Sequence, residues 1–174
     1  MRGSPEERRR GPRPASSVED LERAAAAYVE RYGGTRQRLR RALERRLDAE
    51  SDPSLREAIP AIVERFAASG AVDDAAWAAS RARRMVRRGV APGVVRGRLG
   101  VEGVDGKAAL ATIEGDPTLL ACCAYVRRRR MGAFRADRDD PTDLGRLGRA
   151  GFPYATARKV LGMERDAIEE VLRG

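Results

Sequence analysis

Asp137, Asp139, Asp140 and Asp143 form the only dense acidic cluster in the chain, and carboxylates at that density can hold Mg²⁺ for phosphoryl chemistry. Asp140, however, stands before Pro141, the pattern of a helix N-cap followed by proline at the first helical position, and no positioned base accompanies the cluster. A loop-and-cap role explains it more economically. Histidine is absent from the 174 residues, which removes the usual general base, the commonest metal ligand and every triad built on imidazole. The two cysteines, Cys122 and Cys123, are adjacent. They are too few for a zinc site and badly placed for an ordinary disulfide. In helical register with Leu119 and Val126 they read as core thiols, which fits a reducing cytosol. The expectation is a non-enzymatic chain without catalytic residues, metal or cofactor.

The chemistry that remains is recognition of anions. Lys and Arg number 35 against 26 acids, a formal net charge of +9. Only Lys107 and Lys159 are lysines, so nearly all the positive charge is arginine, whose planar fork grips phosphates and carboxylates in pairs of hydrogen bonds. A high-GC genome gives the same bias, so position matters more than number. Three arginine-rich stretches recur: Arg36 to Arg46, then Arg81, Arg83, Arg84, Arg87 and Arg88, then Arg127, Arg128, Arg129 and Arg130. No acid between Ala78 and Gly100 offsets the seven arginines there. Arg81, Arg84 and Arg88 are expected on the helix face opposite an alanine and Met85 stripe, facing an anionic surface. Asparagine is absent and Gln37 is the single glutamine, so sequence-specific reading of DNA bases is not expected.

Helices must position these residues. Start signals recur at Ser17 with Asp20 three later, at Thr35, and at the Asp-Pro pairs 52/53, 116/117 and 140/141. Stop signals answer at Gly33-Gly34, Gly70, Gly89, Gly100 and Gly115. Ala75, Ala78, Ala79, Ala82, Met85 and Val86 follow helical spacing, and no segment alternates as a strand does. About nine short helices are predicted. Pro60 should kink its helix or mark where that helix begins in earnest. Asp73 and Asp74 read as caps of the helix that follows, and Trp77 as a packing anchor between modules. Gly97-Arg98-Leu99-Gly100 with Gly103-Val104 is echoed 48 residues later by Gly145-Arg146-Leu147-Gly148 with Gly151-Phe152. This internal repeat predicts an all-α chain of three tandem three-helix modules, 18–72, 73–115 and 116–174, stacked as an elongated, curved solenoid-like rod. Residues 1–17, rich in arginine and proline, read as a disordered basic arm. No apolar run suits a membrane span or a signal peptide.

The stretch from Ile62 through Gly70 and Asp74 to Trp77-Ala78 resembles the signature of the RecX family, in which an apolar helix and a glycine lead to an aspartate and then an aromatic-alanine pair. Gly89, Val95, Leu99, Gly103 and Val104 fit the spacing that follows. Gly151-Phe152 with Val160-Leu161 fits the ending of the third module, and Tyr28-Val29, Arg31, Thr35, Leu39-Arg40 and Leu43 look like the opening helix pair. Departures are Trp77 where Phe or Tyr is commoner, an extra residue at Gly33-Gly34, and Arg38 in place of an acid. The resemblance implies a cytoplasmic regulator that lies along the RecA–DNA filament, inhibits recombinase and ATPase activity, and so modulates recombinational repair and the SOS response. The partners implied are the RecA filament and single- or double-stranded DNA, with a monomer as the default. Arg81, Arg84, Arg87, Arg88 and Arg127 to Arg130 are the contact candidates; Asp74, Trp77, Gly103, Gly151 and Phe152 are structural. Two other readings stay open: a basic protein that coats nucleic acid without RecA, and a Mg²⁺-dependent nuclease using Asp139 and Asp140.

Overall fold

The computed structural model describes residues 14–136 and 141–173, which divide between two compact units, Met1–Asp74 and Ala75–Gly174. Ten α-helices and one 3₁₀ turn make up the described residues, and no strand occurs among them.

The first unit holds α1 (Val18–Tyr32), α2 (Arg36–Glu44) and α3 (Pro53–Ala68). Each starts where a short polar side chain can accept from an otherwise unpaired N–H of the first turn. Ser17 Oγ accepts from Asp20 N at 3.2 Å, Thr35 Oγ1 from Arg38 N at 3.2 Å and Asp52 Oδ1 from Ser54 N at 2.9 Å. Asp20 in turn accepts from the Ser16 hydroxyl and N–H, and these bonds hold its carboxyl below the usual carboxylate range. Leu21, Ala25, Leu39, Leu43, Leu55, Ile59, Ile62 and Val63 close an apolar cluster between the three helices. α3 is assigned unbroken through Pro60. Pro60 is exposed, so solvent can serve the carbonyl that its missing N–H leaves unpaired.

The expected arm ends earlier than residue 17. Residues 1–13 lie outside the described residues, but Ala15 is buried in the first cluster and its N–H donates to the Arg46 carbonyl at 2.7 Å. Apolar burial and a backbone bond order Ala15, and the two serines after it serve α1.

The second unit continues with α4 (Asp74–Arg87), α5 (Pro92–Val101), α6 (Gly106–Ala111), α7 (Pro117–Arg129), the 3₁₀ turn Gly132–Phe134, α8 (Thr142–Arg149), α9 (Tyr154–Leu161) and α10 (Arg165–Arg173). The stripe of Ala78, Ala82, Met85 and Val86 is buried, with Val95, Leu99, Ala121, Cys122, Cys123, Val126, Leu147, Phe152, Ala157, Val160 and Ile168, in one cluster. The helices expected in the second and third modules thus share a core. α10 raises the count above nine: Ile168 is fully buried although its short helix follows directly on Gly162-Met163.

The internal repeat is structural. After α5, Gly103 takes φ +76° and Val104 N donates back to the Leu99 carbonyl at 3.2 Å. After α8, Gly151 takes φ +92° and Phe152 N donates to the Leu147 carbonyl at 3.1 Å. Both are left-handed helix ends followed by an apolar residue turned into the core. Gly100, expected to end its helix, lies inside α5, and Gly103 does that work instead.

Candidate functional site

The arginines of α4 do not act as one row. Met85 and Val86 face the core, and the helical turn places Ser80, Arg83, Arg84, Arg87 and Arg88 along an open groove of about 450 Å³. Arg84, Arg87 and Arg88 were expected on this surface. Arg83 was not, although its i, i+4 spacing to Arg87 puts both on one side of a helix. Arg81 is half-buried and lines a separate hollow with Trp77, Met85, Arg98, Leu99, Val101 and Glu102. Its stem lies against apolar surface, as long basic side chains commonly do.

The segment just past α4 meets α7 at a close contact. Gly89, just past α4, approaches the α7 backbone so closely that a Cβ there would stand 2.6 Å from Tyr125 N and 2.7 Å from its Cα. Arg88 immediately precedes that glycine. On the other side the Arg128 and Arg129 guanidinium carbons lie 5.9 and 5.7 Å from the centroid of the Tyr125 ring, within reach of a cation–π attraction. Phe152, buried, backs the same ring edge-on at 5.5 Å. Arg127 is committed to Glu169 of α10 at 3.0 Å. The closeness of Gly89 to Tyr125 therefore brings the end of α4 against the backbone of α7. Cations gathered around an aromatic ring suit a polyanion.

The structural candidates fall as follows. Trp77 is partly buried against the second unit's core. Asp74 was read as a cap of α4. It is the first residue of α4, and its Oδ1 accepts the Arg36 N–H at 2.8 Å, while Arg36 Nη1 stands 3.7 Å from Oδ2. It therefore serves the N-terminus of α2, within the first unit.

Of the acidic cluster, Asp137, Asp139 and Asp140 lie outside the described residues. Asp143 is buried, with Arg146 Nη1 at 3.0 Å, Arg135 Nη1 at 3.6 Å and the Gly132 N–H at 3.4 Å. It ties the 3₁₀ turn to α8. Sequence reasoning missed that role: Arg146, three residues on in α8, was a visible candidate partner, but nothing marks Arg135 or the Gly132 N–H. Among the described residues no three His, Cys, Asp or Glu side chains gather as metal ligands, and no helix is long and apolar enough to cross a membrane.

Cys122 and Cys123 are fully buried. Burial pushes the Cys122 thiol up to about 12 and the Cys123 thiol up to about 11. Since the thiolate is the reactive form, neither thiol is expected to react with an aromatic disulfide reagent at pH 8 in the native chain. Both should react within seconds in guanidinium chloride; measurable native labelling would mean that α7 opens.

No family model matches the chain. Regulatory protein RecX of Myxococcus xanthus is 31% identical over 180 residues, covering 92% of this chain and 95% of the relative. The chain belongs to the RecX family. Regulatory protein RecX of Xanthomonas campestris pv. campestris is 38% identical over 128 residues, 67% of this chain and 73% of that protein. A crystal structure of regulatory protein RecX superposes with a TM-score of 0.58 at 18% identity, over 82% of this chain and 72% of the other. That likeness is one of fold: the all-helical architecture is a RecX architecture.

Proposed function

We propose that this RecX-family chain is a non-enzymatic, cytoplasmic regulator that binds the RecA–DNA filament, restrains its recombinase and ATPase activity, and so tempers recombinational repair and the SOS response. The observations that support the reading are the arginine-lined groove of α4 and the arginines gathered over Tyr125, borne by a chain whose relatives are named regulatory protein RecX. Arg84, Arg87 and Arg88 from α4 and Arg128 to Arg130 from α7 are its contacts with phosphate and with acidic protein surface; Arg81 and Arg127 are auxiliary. A filament presents such groups at every subunit, so individually weak contacts add through effective concentration. Recognition is independent of base sequence, and the chain acts as a monomer through three tandem helical modules.

The test is the ATPase rate of RecA on single-stranded DNA with the chain added. The rate is expected to fall as the chain is titrated, and to recover as salt is raised, because surface charge is screened. No fall at several-fold excess over RecA would overturn the reading and leave a protein that coats nucleic acid by itself.

A further inference from the structure

Four helix ends in the second unit are built alike: a left-handed residue, then an apolar residue whose N–H reaches back to a carbonyl five residues earlier. Val90 N donates to Met85 O at 3.0 Å, Val104 N to Leu99 O at 3.2 Å, Met131 N to Val126 O at 3.0 Å and Phe152 N to Leu147 O at 3.1 Å. At three of them the left-handed residue is Gly89, Gly103 or Gly151. At the end of α7 it is Arg130, φ +53°, the one non-glycine with positive φ among the described residues. A side chain there crowds the following carbonyl, which is why glycine is the usual occupant. Packing does not explain the exception, since Arg130 is exposed. Its backbone N–H donates to the Arg127 and Val126 carbonyls and its carbonyl receives Arg135 Nε at 3.3 Å, bonds that a glycine would make equally well. Its three neighbours are occupied, Arg127 by Glu169 and Arg128 and Arg129 by Tyr125. No partner holds the Arg130 guanidinium among the described residues.

We propose that Arg130 is kept at a position suited to glycine because its guanidinium is a principal phosphate contact of the basic surface, the phosphate being that of a nucleic-acid backbone. Strain retained at an exposed cation, where the fold has a cheaper solution three times over, marks a residue kept for binding. The inference rests on the reading of that surface as the side facing DNA.

The experiment compares the full chain with Arg130→Gly and, separately, with the triple variant Arg84→Ala/Arg87→Ala/Arg88→Ala. Binding to fluorescein-labelled oligothymidylate is measured over a salt series, and thermal melting is measured in parallel. Arg130→Gly is expected to melt about 3 °C higher, to bind about tenfold more weakly, and to lower the slope of log affinity against log salt by about 0.7, one phosphate contact. A higher melting temperature with wild-type affinity and slope would overturn the proposal, and so would a lower melting temperature. If Arg130→Gly binds as wild type while the triple variant is weakened, the proposal falls and the basic surface stands. A wild-type chain that inhibits RecA yet does not bind the oligonucleotide also overturns the phosphate contact, leaving the regulatory reading intact.

Discussion

Gly89→Ala is expected to destabilise the second unit by about 4 kcal/mol, of which about 1 to 2 comes from a side chain in the left-handed region and the rest from overpacking. The Cβ would meet Tyr125 N and Cα at 2.6 and 2.7 Å, and those atoms are backbone in the middle of α7, which cannot turn aside as a flexible side chain could. For a unit of about 100 residues that cost lowers the melting temperature by about 20 °C. Gly115→Ala is the control within the same unit. Gly115 has φ +76°, but nothing lies within 4 Å of its Cβ position, so only the conformational cost, about 1 kcal/mol, should appear. Equal losses at the two positions, read by calorimetry or chemical denaturation, would mean that Gly89 is needed for its dihedral angle and not for the approach of α4 to α7.

The second large effect is functional. Arg84→Ala/Arg87→Ala/Arg88→Ala should leave melting within a few degrees of the parent, because all three side chains are exposed, Arg84 and Arg87 on α4, where alanine is a good helix former, and Arg88 in the turn that ends it. Half-inhibition of the RecA ATPase should then need about a hundredfold more protein at low salt, three charged contacts at about 1 kcal/mol each. The salt dependence should flatten as well, since fewer counterions are released. Inhibition undiminished by the triple change would remove α4 from the contact surface and leave the end of α7 as the place to look.

Much of this architecture is legible from local signals. The alanine and Met85 stripe of α4 and the caps at Ser17, Thr35, Asp52 and Asp116 depend only on residues within a turn or two of one another. The echo between Gly103-Val104 and Gly151-Phe152 was readable for the same reason, since each ends its helix with a bond spanning five residues. The candidate site was legible as two arginine stretches. The long-range approach of Gly89 to Tyr125 was not, because sequence marks Gly89 only as a stop signal. Arg81 and Arg83 exchanged places relative to expectation: a helical wheel places side chains by angle, and it could not show that Trp77 and Leu99 make a wall beside Arg81. The Asp143 pair with Arg146 is an i, i+3 contact inside α8, but its pair with Arg135 was invisible because that one requires the turn after α7 to fold back onto α8. Arg130 was legible as a cation and illegible as a strained one, because only the backbone reveals its handedness.

The groove along α4 and the end of α7 are furnished almost wholly with guanidinium groups, from Arg83 to Arg88 and from Arg127 to Arg130. Acetyl transfer, which neutralises lysine, has nothing to act on in either stretch, since neither contains a lysine. The binding proposed for these arginines should therefore answer to the salt around them.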